Sequence, residues 1–337
     1  MSLTSAIYGC VGTELSDAEK RFFREARPWG FILFARNIAD PDQLLHFTSS
    51  LREAAGHDAP ILIDQEGGRV QRLRPPHWRA WPAGRRYGEI YGQDSERGLH
   101  AARLGARLIA AELRSVGVTV DCLPVLDAPV RGAHDVIGDR AYGDEPGLIA
   151  ALGLAVAEGL MSGGVLPVVK HMPGHGRARC DSHKNLPVVD ASLEELEGRD
   201  FAPFYALRAL PLAMTAHVVY TALDPDYPAT TSTTVIGETI RGRIGFEGLL
   251  MSDDLSMKAL KGDFEARTRA ALAAGCDLVL HCNGDMAEME AVAAEAKPLE
   301  GESLKRSEAA LGRVVLPSEA VDIDSLWAEF SEITGLA

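Results

Sequence analysis

A histidine-rich loop holds the densest group of side chains that could catalyse a reaction. Residues 170–183 read KHMPGHGRARCDSH, and the Pro-Gly-His-Gly run within them can continue neither a strand nor a helix. Asp181 and His183 stand two residues apart, and in an extended segment such residues point to the same side. The Asp181 carboxylate could therefore accept a hydrogen bond from one imidazole nitrogen and leave the other nitrogen for a substrate. This arrangement predicts a general acid and base.

A pair of acids, Asp253 and Asp254, follows the apolar run 248–251. Because neighbouring strand residues face opposite ways, only one of the two carboxylates is expected to point fully at a substrate, and we predict that it is Asp253. The structural alternative for either acid is an N-cap of the turn that follows.

A third segment, residues 64–72 (DQEGGRVQR), combines a carboxylate, a Gly-Gly turn and two arginines. The glycines let the backbone approach a ligand closely. Asp64 could accept hydrogen bonds from vicinal sugar hydroxyls, and Arg72 could donate to a carbonyl group on the sugar. The alternative is a turn after a strand that is held by a structural Asp–Arg ion pair.

The histidines of the loop also allow a metal site. His171, His175 and His183, with Asp181, have the donor types that bind zinc. The ammonium group of Lys170, next to the first of these histidines, would oppose a bound cation. We therefore predict no metal and no other cofactor. For His175 two roles stay open, a direct one and that of a histidine which holds the turn.

These segments follow apolar runs that are typical of buried strands. Eight such runs alternate with segments of helical spacing or composition, which predicts an α/β protein. Continuous runs rich in β-branched residues suit a parallel sheet that is buried on both faces, so a (β/α)8 TIM barrel is favoured and a doubly wound sheet is the alternative. The runs are residues 6–11, 30–34, 60–63, 118–123, 165–169, 212–214, 248–251 and 278–280.

The helical segments complete the alternation. No linker or low-complexity segment divides the chain, so we predict a single domain over residues 1–337, with 300–337 as a C-terminal helical extension. The segments between the runs are 16–26, 40–55, 95–116, 146–163, 192–210, 234–244 and 264–274, and those after the last run are 286–296, 304–311 and 323–333.

Polar residues follow most of the predicted strands. In a parallel barrel the ends of the strands share the C-terminal face, where active sites form. We therefore expect the polar residues to surround one pocket. They are residues 64–69, 124–127, 170–171, 217 and 253–254.

The composition limits the classes of partner. Of the 337 residues, 46% are hydrophobic and 24% are charged, which is ordinary for a globular protein. The net charge of −14 argues against nucleic acid or an anionic membrane surface as a partner. The N-terminal residues lack the features of a signal peptide, and no stretch reaches the length of a membrane span, so we expect a cytoplasmic protein. Five widely spaced cysteines without a CxxC pair fit reduced thiols.

Three motifs in register resemble those of family 3 glycoside hydrolases. They are residues 63–72, residues 170–176 with 181–183, and residues 252–257. More narrowly, they are similar to those of the single-domain bacterial β-N-acetylglucosaminidases of peptidoglycan recycling. One departure is Met172, where the family more often has an aromatic residue of comparable apolar volume. The resemblance implies a (β/α)8 barrel that removes a non-reducing terminal β-linked N-acetylglucosamine from muropeptides, namely N-acetylglucosaminyl-anhydro-N-acetylmuramic acid with or without its peptide.

The resemblance also implies a role for each motif residue. Asp253 corresponds to the nucleophile and His183 to the acid/base, with Asp181 as the partner of the histidine. Residues 136–143 (VIGDRAYG) are similar to the family's Ile-Gly-x-Arg stretch, which adds an arginine to the sugar-binding set. The implied chemistry is hydrolysis with net retention through a covalent glycosyl-enzyme. The residues implied in sugar binding are Asp64, Arg72, Arg140, Lys170 and His171.

Several alternatives stay open. Within the family they are a β-N-acetylglucosaminide phosphorylase and a β-glucosidase, and within hexosaminidases they include hydrolysis assisted by the substrate's own acetamido group. A metal-dependent barrel hydrolase would use different chemistry. A non-catalytic muropeptide binder would keep the pocket and lose the reaction.

Overall fold

A closed barrel of eight parallel strands forms the centre of the protein in the computed structural model, which describes residues 2–182, 184–316 and 322–336. Each strand pairs with the strands before and after it along the chain, and the last pairs with the first. This confirms the predicted (β/α)8 barrel and excludes the doubly wound alternative. The strands are β1 (Thr4–Tyr8), β2 (Pro28–Leu33), β3 (Ile61–Ile63), β4 (Val120–Asp121), β5 (Leu166–Met172), β6 (Leu212–Thr215), β7 (Leu249–Asp254) and β8 (Leu278–His281).

Helices surround the barrel. The longest are α4 and α5, which follow β3 and β4 and pack against each other. The helices are α1 (Asp17–Ala26), α2 (Pro41–Ala55), α3 (Gly84–Gln93), α4 (Ser95–Ser115), α5 (Pro146–Ser162), α6 (Leu193–Glu195), α7 (Ala202–Ala206), α8 (Phe264–Ala274), α9 (Met286–Glu295), α10 (Gly301–Leu311) and α11 (Ile323–Thr334). In the described part of the chain no helix combines the length and apolar character needed to cross a bilayer.

Local sequence explains where the first helices begin and end. Ser16 and Glu19 form a capping box at the start of α1, in which each side chain binds the backbone of the other residue. Asp40 caps α2 by accepting from the N–H of Gln43 at 2.9 Å, and Pro41 occupies the first turn, where its missing N–H costs nothing. The helix ends at Gly56, whose φ of 71° suits a residue without a Cβ.

Two predicted helices have a wider winding than expected. Residues 192–210 form α6, a π-helix (Leu196–Asp200) and α7. At the end of the π-helix the N–H of Phe201 bonds to the carbonyl of Leu196, five residues earlier, at 2.8 Å. The predicted helix 234–244 is likewise a π-helix (Val235–Arg243).

Helix α3 was not among the predicted helices, because its three glycines weaken the helical pattern. The structure gives a reason for one of them. A Cβ on Gly88 would lie 1.7 Å from the carbonyl oxygen of Tyr142, so only glycine allows the two backbones to come this close.

The strands bury side chains on both faces. One face points outwards to the helices and includes Tyr8, Phe31 and Val169. The other face fills the barrel, and every strand contributes to it, with Ile7, Ile32, Leu62, Val120, Val168, Leu212, Met251 and Leu280. This filling makes the barrel a packed core and leaves only its ends for a ligand.

The last helices cover the barrel from outside. Helix α10 lies at the N-terminal end, where the indole N–H of Trp29 donates to the Ser307 hydroxyl at 2.7 Å. Helix α11 packs against α4 and brings Phe330 to 5.5 Å from the ring of Trp81. The opposite, C-terminal end of the barrel stays open.

Candidate active site

One cavity of about 360 Å³ opens at the C-terminal end of the barrel. Its size is that of a small-molecule site. Six of the eight residues predicted for the site line it, although they come from distant parts of the chain: Asp64, Arg72, Arg140, Lys170, His171 and Asp253.

The remaining two predicted residues belong to the loop after β5. Asp181 is half-buried and is not among the residues that line the cavity, whereas its neighbour Ser182 is. His183 lies outside the described residues. The structure therefore brings the loop to the edge of the cavity at position 182.

Lys170 is the central cation of the cavity. Its Nζ lies 2.8 Å from Asp64 Oδ1 and 2.6 Å from Glu66 Oε1, and its side chain is only 2% exposed. Burial alone would raise the pKa of Asp64, but the charges of Lys170 and Arg72 outweigh this effect and hold that pKa well below its usual range. Asp64 is therefore ionised at neutral pH.

Glu66 is a member of this network that the sequence analysis did not select. Arg140 donates two hydrogen bonds to it, each 2.8 Å long. Burial favours the neutral acid, but Arg140 and Lys170 lower the pKa of Glu66 to about 2. Arg72 in turn contacts Asp64 at 2.9 Å, so three cations alternate with two carboxylates along one wall.

The Gly-Gly turn allows this wall to form. Gly67 has a φ of 93°, and a Cβ there would lie 2.2 Å from the carbonyl oxygen of Pro82. Beside it, two short antiparallel strands (Gln65–Gly67 and Val70–Gln71) form a hairpin that returns Arg72 to the cavity. The Asp64–Arg72 ion pair of the structural alternative is present, and both residues also line the cavity, so sugar binding by this segment stays a prediction.

His171 is held by Asp127, which the sequence analysis placed at a strand end without giving it a role. Asp127 Oδ2 lies 2.7 Å from His171 Nδ1, and the Asp127 side chain is fully buried. The available signal was an aspartate at the end of one predicted strand and a histidine at the end of the next. Sequence alone could not show that the two segments meet, because 44 positions separate the residues.

His175 is a buried residue of the histidine-rich loop, and both its backbone and its ring have hydrogen-bond partners. The backbone N–H of His175 donates to Asp127 Oδ1 at 2.6 Å, and its ring Nε2 is 3.1 Å from the Ser182 hydroxyl. Burial, together with the nearby His171, lowers the pKa of His175 to about 4, so this ring is neutral at neutral pH. These contacts fit a histidine that holds the turn, although it also lines the cavity.

Asp253 and Asp254 both line the cavity, so their place in β7 does not distinguish them. Asp254 Oδ1 accepts from the N–H groups of Ser256 and Cys282 at 3.0 and 3.1 Å, which ties this carboxylate to the backbone of the following turns. Asp253 Oδ1 accepts from the N–H of Asp254 at 2.8 Å. Asp254 thus has the turn-capping contacts that were the structural alternative.

The arrangement suits a polar ligand with many hydroxyl groups. Ionised carboxylates accept hydrogen bonds from hydroxyls, and lysine and arginine donate to hydroxyl or carbonyl oxygens. Among residues 2–182, 184–316 and 322–336, no three His, Cys, Asp or Glu side chains are placed to hold a common metal ion.

Comparison with known proteins gives one consistent result. The family described as "Glycosyl hydrolase family 3 N terminal domain" matches residues 10–316. A relative named "Beta-hexosaminidase" from Methylococcus capsulatus is 41% identical over 326 residues, which cover 95% of this chain and 96% of the relative. A relative of the same name from Thioalkalivibrio sulfidiphilus is 43% identical and covers 84% of this chain and 82% of its own.

Solved structures agree with these relatives. NagZ from Neisseria gonorrhoeae, in complex with N-trifluoroacetyl-D-glucosamine, has a TM-score of 0.89 at 30% identity, with 99% of both chains covered. A family 3 β-N-acetylglucosaminidase from Paenibacillus has a TM-score of 0.84 at 31% identity, with 98% of this chain and 67% of that chain covered.

Proposed function

Because this chain belongs to glycosyl hydrolase family 3, we propose that it is a β-N-acetylhexosaminidase that removes a terminal β-linked N-acetylglucosamine from muropeptides. The observation that carries the proposal is the cavity in which six motif residues meet, on a chain about 40% identical to proteins named β-hexosaminidase. The natural substrates are N-acetylglucosaminyl-anhydro-N-acetylmuramic acid and its peptide-bearing forms, which places the enzyme in peptidoglycan recycling.

The sugar binds along the wall of alternating charges. Asp64 accepts from two neighbouring hydroxyls, while Lys170 and Arg72 keep it ionised and donate to oxygens of the same sugar. Arg140, in the same wall, and His171 complete the contacts. Because these groups are already paired with one another, they need little rearrangement when the sugar arrives.

Catalysis proceeds in two steps with a change of bond at C1 in each. In the first, a carboxylate oxygen of Asp253 forms a bond to C1 as the C1–O bond to the leaving sugar breaks, and His183 gives its proton to the departing oxygen. In the second, His183 takes a proton from water, and the water oxygen replaces Asp253 at C1 with net retention. Asp181 supports the imidazole in both steps, since the ring must first lose a proton and then regain one near neutral pH.

The cytoplasm is the proposed location. All five cysteines are unpaired, and four of them are buried. Unpaired thiols are typical of reducing compartments.

Turnover of chromogenic β-N-acetylglucosaminides and β-glucosides tests the activity directly. A hexosaminidase prefers the acetamido sugar strongly, whereas equal turnover of both sugars would favour a β-glucosidase. No turnover of either would favour a muropeptide-binding protein. Asp324→Asn, at a side chain that is 99% exposed, serves as the matched control for substitutions of acids in the cavity.

A further inference from the structure

Asp127 is an ionised acid with no access to solvent. Its side chain is fully buried in the segment after β4. Burial alone would raise its pKa, but the neighbouring His171 and His175 lower that pKa to about 2. A buried charge is tolerated only when hydrogen bonds satisfy it, so this carboxylate must be held by close partners.

Both oxygens of Asp127 accept hydrogen bonds from the histidine-rich segment. Oδ2 is 2.7 Å from the ring nitrogen Nδ1 of His171, and Oδ1 accepts from the backbone N–H groups of His171 and His175 at 3.2 and 2.6 Å. An ionised carboxylate cannot donate, so the proton lies on His171 Nδ1. Whenever the His171 ring is neutral, its Nε2 is consequently a hydrogen-bond acceptor.

The Asp127 carboxylate is also connected, through hydrogen bonds of His175, to the C-terminal end of the loop. The backbone N–H of His175 donates to Asp127, and its ring Nε2 is 3.1 Å from the Ser182 hydroxyl. Ser182 immediately precedes His183 in the chain. The loop also packs closely on the segment after β4, because a Cβ on Gly176 would lie 2.1 Å from the carbonyl oxygen of Ala128.

We propose that Asp127 is a positioning residue that sets the tautomer of His171 and anchors the loop carrying Asp181 and His183. The inference rests on the proposed function, since it assigns sugar recognition to His171 and acid/base catalysis to the loop. Asp127 itself touches neither the sugar nor the reacting atoms. Asp127 serves sugar recognition and acid/base catalysis together, because its carboxylate binds both the His171 ring and the backbone of the loop.

Two substitutions separate these effects. In Asp127→Asn the amide oxygen still accepts from the two backbone N–H groups, but the amide nitrogen donates to His171 Nδ1 and forces the proton onto Nε2. We expect this variant to raise KM about 2- to 10-fold, the worth of a hydrogen bond between His171 Nε2 and an uncharged sugar hydroxyl, with a smaller change in kcat. Asp127→Ala also removes the acceptor of the two backbone N–H groups at the start of the loop. Its kcat should therefore fall further than that of Asp127→Asn, most of all on substrates with poor leaving groups.

The control is Asp277→Asn, which removes another buried charge far from the cavity. Asp277 lies before β8 at the N-terminal end of the barrel, where its side chain is 2% exposed and pairs with Arg241 and Arg306. This variant should lose stability but retain kcat and KM for the folded enzyme. Equal kinetic constants in Asp127→Asn and Asp277→Asn would overturn the proposal.

A second measurement does not depend on activity. Nitrogen-15 NMR of the histidine rings reports the tautomer, and His171→Gln identifies the signal of His171. We expect the proton on Nδ1 in the wild-type protein and on Nε2 in Asp127→Asn. A proton on Nε2 in the wild-type protein contradicts the proposal even if the variant fails to fold. Because no substrate is present, this result is independent of whether the proposed hexosaminidase activity is found.

Discussion

Lys170 Nζ lies 2.6 Å from Glu66 Oε1 and 2.8 Å from Asp64 Oδ1. One buried cation thereby compensates two carboxylates. The contact joins the end of β5 to the hairpin after β3, so the wall of the cavity and the stability of the barrel end depend on the same three charges.

Lys170→Met is therefore expected to destabilise the protein strongly. Removing one partner of a buried pair leaves the other charge uncompensated, which costs about 3–5 kcal/mol. Urea unfolding of the variant and the wild type measures this difference. Lys305→Met is the control, because Lys305 pairs with Glu302 on the surface and its side chain is 72% exposed, so its loss should cost far less stability. Similar losses in both variants would contradict the central role of Lys170.

Asp253→Asn should abolish turnover while leaving substrate binding measurable. The loss of a nucleophile that acts within a catalytic unit is expected to lower kcat about 10⁴-fold or more. A 2-deoxy-2-fluoro glycoside with a good leaving group, followed by peptide mass spectrometry, should locate a covalent adduct on Asp253 of the wild-type protein. Absence of an adduct would favour attack by the substrate's acetamido group.

Asp254 offers the matched variant for this test. Its carboxylate binds the N–H groups of Ser256 and Cys282, so Asp254→Asn should lower stability through the turns that these bonds hold. An adduct on Asp253 should still form in this variant. An adduct on Asp254 in the wild type would reverse the assignment.

His183→Ala should affect poor leaving groups far more than good ones. A poor leaving group needs a proton as the glycosidic bond breaks, so kcat/KM for an alkyl glycoside is expected to fall by about 10²- to 10⁴-fold. From a dinitrophenyl glycoside the dinitrophenolate ion leaves without protonation, so the rate of the first step should fall little. Steady-state kinetics on the two substrates make the comparison, and equal losses would exclude His183 as the acid.

Asp121 predicts a pH dependence of stability. It lies fully buried at the end of β4, where its Oδ1 accepts from the N–H of Gln65 at 3.0 Å and its Oδ2 has no hydrogen-bond partner among the described residues. Burial raises the pKa of Asp121 to about 8, because the bond from Gln65 and the charge of Lys170 only partly oppose the effect. Between the unfolded pKa of about 3.9 and the folded value, the native state binds more protons than the unfolded state.

The proton bound to Asp121 therefore contributes to the free energy of unfolding. This contribution is fully present below about pH 3.9 and is lost as the pH rises through about 8. Asp121→Asn cannot ionise, so its stability relative to the wild type should rise by about 1 kcal/mol per pH unit between pH 5 and 8 and then level off. Urea unfolding at several pH values provides the measurement. Asp58→Asn, at a side chain that is 95% exposed, should give a flat difference over the same range, and a flat difference for Asp121→Asn would contradict the prediction.

Phosphate in place of water tests the balance between hydrolysis and phosphorolysis. A histidine acid/base adds no second negative charge beside the nucleophile, which allows an anion to approach the glycosyl-enzyme. If phosphorolysis occurs, N-acetylglucosamine 1-phosphate should accumulate in phosphate buffer at the expense of the free sugar. Free sugar alone at high phosphate would identify the enzyme as a strict hydrolase.

The amino-acid sequence by itself determined the barrel and the face on which the cavity opens. Eight apolar runs alternate with helical segments, and each of the eight matches a strand of the closed barrel. Polar residues at the strand ends had to meet at one rim, because parallel strands in a barrel all end on the same side. Asp64, Lys170, His171 and Asp253 could be selected in this way before any contact was known.

The tertiary structure alone decided how these charges are compensated. Glu66 and Asp127 are bound to groups far along the chain, Arg140 at a separation of 74 positions and His171 at 44. The sequence shows the charge of each side chain but not its distance from another, and the energy of a buried charge depends on that distance and on the exclusion of water. The winding of residues 192–210 also emerged only from the folded chain, because it depends on which carbonyl each backbone N–H reaches.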